Sequence, residues 1–294
     1  VVVNADGSIG QVKYTYTELG TYLNSNTTNV ISNNYNAEQV KVAHDTTNDQ
    51  ALYFWRNTND SNAGEITIGT ITGDTGNNVS QSSNQRVHNG ITRPFELAWS
   101  KTSAVGVALY TASGGMFIEA FTSDGSSLTF GTRVTVCTQN ATDWGTVSWD
   151  ETSDKFLVVV GKDASDSNYA NAWVVSHSGT TLTLGTKVQV KASEAEHASL
   201  SYDSDNNRHL LCYSDYQDSE KLCGRIITVS GTTPTVGAET KLTDGNNYAV
   251  STAYITGGKF ITYYNRSNDG YARIITISGT TVSFGAESSN IENN

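Results

Sequence analysis

The sequence predicts an all-β protein, a β-propeller of about six four-stranded blades of roughly 50 residues each, with a β-solenoid as the alternative. Three observations predict it. Apolar residues fall in short alternating runs, as half-buried strands require. Tight polar turns separate those runs. The same turn-and-strand pattern recurs along the chain.

The repeat is visible in three anchors. The clearest is the run Arg225 to Thr233, reading Arg-Ile-Ile-Thr-Val-Ser-Gly-Thr-Thr, which returns almost unchanged from Arg273 to Thr281 and in altered form from Trp173 to Thr181. Weaker copies run from Ile118 to Ser126 and from Ile66 to Asp74. Each reads as a third strand closed by a Gly-containing turn, because Gly supplies the positive φ of a tight hairpin. A Gly-containing fourth strand follows, as in Leu182 to Val190 and Val282 to Glu287. Upstream lies a first strand, anchored at Val42, Leu97, Val147, Leu200 and Thr252, and then an apolar second strand such as Phe156 to Val160 or His209 to Tyr213. Pro234 opens one fourth strand, where a missing N–H is tolerated.

One propeller domain is therefore expected over residues 1–294, with an incomplete blade at 1–37 and repeats at 38–90, 91–141, 142–193, 194–245 and 246–294. In the first of these, Val1 to Asn4, Gln11 to Thr17 and Tyr22 to Ile31 read as strands two, three and four, with strand one missing. A lone four-stranded meander cannot cover both its faces, whereas blades packed face to face in a ring leave only short edges. Four hairpin-linked strands per unit argue against a solenoid. The chain starts at Val1 inside a strand-like run, without an initiator Met or signal peptide, and the expectation is a processed product or a piece of something longer.

Composition supports this and excludes other classes. Only 16 % of the residues are charged, and the chain holds 26 Gly, 2 Pro and 15 Tyr. A net charge of −11 repels phosphate backbones, so no nucleic-acid partner is expected. Apolar runs are too short to span a bilayer as helices, so no membrane insertion is expected. Three cysteines are too few for a disulfide framework. Cys212 and Cys223 fall on opposite arms of one predicted hairpin, which leaves open a cross-strand bridge or buried free thiols.

In a propeller the 1–2 and 3–4 turns share one face, and the 2–3 loops and blade-to-blade links share the other. The second set diverges here, for example at 57–64, 162–171, 215–221 and 265–270, and divergent loops on a repeated scaffold carry specificity. Four residues before each first-strand anchor stand Glu38, Arg93, Asp143, Glu196 and Tyr248, and one step on come Trp144 and His197. If the first strands line the central channel, these seven residues ring its mouth. Aromatics that stack on a sugar and carboxylates that accept from its hydroxyls would suit a glycan, and the same oxygens would suit a cation. The bland alternative is a polar rim that solvates the loops.

Other motifs are thin. No catalytic signature is present, and the five His show no zinc-ligand spacing. No cofactor is called for. Ca2+ is a candidate at Asp203 to Asn207 and Asn265 to Gly270, which offer hard oxygens, although neither loop completes an EF-hand.

The Ser-Gly-Thr-Thr turns followed by Phe-Gly or Leu-Gly strands, in Trp173 to Val190, Arg225 to Leu242 and Arg273 to Glu287, resemble repeats of β-propeller-like proteins of tailed phage virions, marine ones above all, and of aquatic bacterial adhesins. The resemblance implies a non-enzymatic virion surface or tail component, a phage tail or capsid appendage, serving host attachment or particle decoration. It implies an extracellular or virion-surface location, with other virion or surface proteins and host glycans as partners. Two alternatives stay open: a secreted or cell-surface carbohydrate-binding propeller, and a glycoside hydrolase using the inner-strand carboxylates Asp143, Glu196 and Glu38.

Overall fold

A computed structural model describes residues 2–3, 9–10, 37–72, 78–138, 144–242, 245–267, 269–289 and 291. It is an all-β propeller. Short strands β1 (Val2–Val3) and β2 (Ile9–Gly10) pair with each other; the remaining strands expected before Glu38 lie outside the described residues. The rest builds five antiparallel sheets, each from strands contiguous in sequence.

Blade 1 comprises β3 (Ala37–Asp45), β4 (Gln50–Asn57), β5 (Ala63–Thr72), β6 (Asn78–Gln81) and β7 (Gln85–His88). Blade 2 comprises β8 (Ile91–Ser100), β9 (Val105–Ala112), β10 (Gly115–Ser123), β11 (Leu128–Phe130) and β12 (Val134–Thr138). Blade 3 has β13 (Gly145–Asp150), β14 (Lys155–Asp163), β15 (Tyr169–Ser178), β16 (Thr181–Leu184) and β17 (Val188–Lys191). Blade 4 has β18 (Ala195–Asp203), β19 (Arg208–Asp215), β20 (Lys221–Ser230), β21 (Thr233–Val236) and β22 (Thr240–Lys241). Blade 5 has β23 (Asn247–Thr256), β24 (Lys259–Arg266), β25 (Asp269–Ser278) and β26 (Thr281–Glu287). The first strands β3, β8, β13, β18 and β23 lie side by side in chain order and form the inner wall.

The core lies between blades. Separate apolar clusters fill the 1–2, 2–3, 3–4 and 4–5 interfaces, and Phe54, Phe121, Phe156 and Phe260 are fully buried within them. Each such ring contributes about 1.5–3 kcal/mol by leaving water. Every residue of β9 and β19 is buried, because a blade stands against each of their faces. In β4 and β24 buried and half-buried residues largely alternate, because one blade packs against each of them among the described residues.

Two local devices explain the repeated motifs. The first strands of blades 1, 3 and 4 end in a buried Asp that caps the following turn. Asp150 accepts from the backbone N–H and hydroxyl of Ser153, and Asp45 accepts from the N–H groups of Thr47 and Asn48. The fourth strand is broken at its Gly in blades 2, 3 and 4, where Gly131, Gly185 and Gly237 donate to the third strand at 2.8 Å. At Gly185 the next blade's Thr-Thr turn comes so close that an added Cβ would sit 1.9 Å from the Thr232 carbonyl oxygen. The Ser-Gly-Thr-Thr turn of one blade thus docks into the Leu-Gly kink of the blade before it.

The cysteines take one of the two alternatives left open, that of buried free thiols. Cys212 pairs with Gly224 and Tyr213 with Cys223, so the two thiols are one step out of register and point to opposite faces of the sheet. They belong to different apolar clusters, and all three cysteines are free and buried.

Candidate functional site

Four of the five described first strands do not enter the ring as regular β, whereas β13 pairs without interruption. Register shifts interrupt β3 between Glu38 and Lys41, β8 between Ile91 and Arg93 and again between Pro94 and Glu96, β18 between Glu196 and Ser199, and β23 between Tyr248 and Ser251. At the same repeat position Gln39, His197 and Ala249 take left-handed φ values of 56°, 50° and 50°. Such a φ costs a residue other than Gly about 1–3 kcal/mol and clusters at functional sites. Pro94, whose ring forbids it, holds that position in blade 2. Each bulge adds an unpaired residue and re-aims its neighbours, here toward the channel.

The product is a cavity of about 500 Å3 at the channel mouth, to which all five described first strands contribute. Gln39, Pro94, Trp144, His197 and Ala249 line it in one tier, with Lys41, Glu96, Ser199 and Ser251 further in. Its size is that of a small-molecule site. The rim is a continuous row of rings. The Arg93 guanidinium lies 5.5 Å from the Trp144 ring centroid, the His197 imidazole 3.9 Å from Trp144, and the Tyr248 phenol edge-on to His197 at 5.5 Å. Gly161 makes the close approach of blades 3 and 4 feasible, since a Cβ there would meet the Ala195 carbonyl oxygen at 2.0 Å and the Trp144 Cβ at 2.8 Å.

Charge is arranged around this row. Burial, together with the neighbouring carboxylates Glu194 and Glu220, holds the Glu196 carboxyl above its usual range, against the opposing hydrogen bond from Trp144 and the charge of Lys162. The Tyr248 hydroxyl donates to Glu220 at 2.5 Å. Burial lowers the His197 pKa; Glu220 opposes this and Arg93 adds to it, so the imidazole is neutral at pH 7. Burial raises the Glu96 carboxyl, with Lys41 and the Leu97 N–H pulling the other way. The mouth therefore offers flat neutral rings, carboxylate acceptors and two cations, the complement of a polyhydroxylated ring.

Of the seven residues expected at the mouth, Arg93, Trp144, Glu196, His197 and Tyr248 come together here. Asp143 and the side chain of Glu38 lie outside the described residues. Lys41, Glu96, Glu194 and Glu220 escaped the sequence reading. Lys41 and Glu96 stand three places after Glu38 and Arg93, so the same repeat spacing marks them as a second tier.

Two sites were open to a metal. In the loop from Asp203 to Asn207, the Asp203 carboxylate accepts from the N–H groups of Asp205 and Asn206, the Asn206 amide and Arg208 Nε. Those contacts form an Asx turn neutralised by an arginine and leave little oxygen for calcium. The second loop includes Asn268, outside the described residues. Asp215, Cys223 and Glu239 also converge, but the Lys191 ammonium sits 2.8 Å from Asp215 and 3.0 Å from Glu239 and holds the place a cation would take.

No known sequence family matches the chain, and no curated protein matches it. Solved structures do. A protein from Lactobacillus plantarum aligns with TM-score 0.61 at 12 % identity, over 86 % of this chain and 71 % of its own. A putative oxidoreductase (glucose dehydrogenase) from Thermus thermophilus aligns with TM-score 0.57 at 10 % identity, over 88 % and 86 %. A lectin from Aleuria aurantia, solved in complex with Fucα1-6GlcNAc, aligns with TM-score 0.56 at 12 % identity, over 87 % and 78 %. At such identities the likeness shows the fold alone, and that fold is the β-propeller.

Proposed function

We propose that this chain is a non-enzymatic, carbohydrate-binding propeller whose channel mouth takes a sugar ring, and that it serves attachment or particle decoration at a virion or other extracellular surface. The observation that carries the reading is the row Arg93–Trp144–His197–Tyr248, bordered by Glu196 and Glu220, over a cavity of about 500 Å3. Flat rings cover the apolar face of a pyranose, and carboxyl oxygens accept from its hydroxyls. A propeller lectin solved with a fucosylated disaccharide is consistent with this use of the fold. The surface location rests on the repeat resemblance, on the chain's net charge of −11 and on its low Lys and Arg content.

A glycan array tests the binding, with the wild-type protein against Trp144→Ala. Selective binding by the wild type that the variant loses supports the reading. An array with no wild-type signal above background, in a folded sample, contradicts it. Cryo-electron microscopy of the source particle tests the location, which fails if the protein is absent from the particle surface.

A further inference from the structure

On the opposite face, the residue that opens the second strand has a recurrent task in blades 1, 3 and 4. In blade 1 the Gln50 amide donates to the Gly125 carbonyl in the next blade's 3–4 turn at 2.9 Å. In blade 3 the Lys155 ammonium donates to Gly231 at 2.6 Å, and in blade 4 the Arg208 guanidinium donates to Gly279 and, at 3.2 Å, to Ile277. Three interfaces are thus plugged by an amide, an ammonium or a guanidinium from the preceding blade.

The interface between blades 2 and 3 breaks the pattern twice. Val105 opens the second strand there and has no donor to offer Gly179. Across from it, His177 stands where the next two blades carry the buried Val229 and Ile277. A cleft of about 480 Å3 is left, lined by Val105, Gly179, Asp154, His177 and serines from both blades. The His177 side chain is 5 % exposed, and its Nε2 has no hydrogen-bond partner. It lies 3.6 Å from Asp154 Oδ2, beyond hydrogen-bond range. Asp154 is held in place by the hydroxyls of Ser100 and Ser103 and by the Trp149 indole. The stem of Lys155 forms part of the wall, while its ammonium is engaged with Gly231 at the next interface.

We infer that this cleft is a binding site for an alkyl-linked cationic nitrogen, a primary ammonium or guanidinium, which takes the place that Lys155 and Arg208 fill in the neighbouring interfaces. Its N–H groups meet the Asp154 carboxylate, the Gly179 carbonyl and the unpartnered His177 nitrogen, and its stem lies against Val105. The cation is either a free small amine or a side chain of another protein.

The test follows the ring nitrogens of His177 by NMR, in protein labelled with 15N-histidine, during titration with n-butylammonium and with n-butanol as the uncharged control. The expected result is a saturable shift in the millimolar range with the amine and none with the alcohol. Val105→Lys, which supplies an internal ammonium, is expected to abolish that shift; Val105→Gln, the blade 1 solution, serves if the lysine variant does not fold. Shifts that are absent, that are equal for alcohol and amine, or that persist in the folded variant overturn the inference. A capped tripeptide with a central lysine identifies the source: tighter binding than the free amine assigns the site to a protein side chain, and equal or weaker binding assigns it to a small amine.

Discussion

The imidazole of His197 lies 3.9 Å, centroid to centroid, from the indole of Trp144, although the two residues belong to successive blades. Neither strand alone makes a ring platform. The platform exists because β18 bulges at His197 and because Gly161 lets blade 4 close on blade 3. The site is thus a product of blade-to-blade packing.

Trp144→Ala should therefore weaken glycan binding about five- to thirtyfold, since a stacked aromatic is worth about 1–2 kcal/mol. The midpoint of thermal unfolding should move by only a few degrees, because the side chain stands at the rim. Calorimetric titration and melting curves on one preparation separate the two effects.

Docking of the Thr-Thr turn into the Gly kink predicts an asymmetry among glycines. Gly185→Ala would drive a methyl into the Thr232 carbonyl and should cost about 1–3 kcal/mol. Gly237→Ala, whose Cβ would find its nearest neighbour at 3.1 Å, should cost less. Urea titrations of both variants measure the difference.

Much of this architecture was legible in the sequence, and the exceptions have physical causes. The Ser-Gly-Thr-Thr turns and the alternating strands mark the hairpins directly, because local backbone chemistry dictates both. The tier of Arg93, Glu196 and Tyr248 was legible as a repeat position. The bulges were not: a period of two assigns residues to alternate faces, and Gln39, His197 and Ala249 break it with a backbone conformation their residue types do not advertise. The choice between a bridge and free thiols at Cys212 and Cys223 was not legible for a related reason, since a shift of one residue in hairpin register turns a facing pair into an opposed one.

Acid stability should report on His209. Its side chain is fully buried, and its Nε2 lies 3.3 Å from Asp150 Oδ2. Burial lowers its pKa from 6.5, with Asp150 opposing. The unfolded chain takes up that proton near the ordinary pKa and the folded chain does not. Stability is therefore complete above pH 6.5 and falls as the pH drops below it, by up to about 1.4 kcal/mol per pH unit for this one group. His88 and His197 are shifted in the same direction and add to the slope. Folded His209→Gln protein should show a shallower loss of stability down to about pH 5 in denaturant titrations at stepped pH.

The thiols should be inert in the native state. Burial pushes Cys137, Cys212 and Cys223 each up to about 12, and an unionised buried thiol is a poor nucleophile. A thiol-reactive dye should label none of them in the folded protein and all three in denaturant, and a reducing agent should leave the melting midpoint unchanged.

The most direct test of the channel-mouth reading is a crystal structure of the protein with the best glycan from the array. The expected result is a sugar ring in the mouth cavity, against Trp144 and His197 and within hydrogen-bond distance of Arg93 or Glu196. A sugar bound between blades or on the outer strands, with the mouth holding only water, would contradict it.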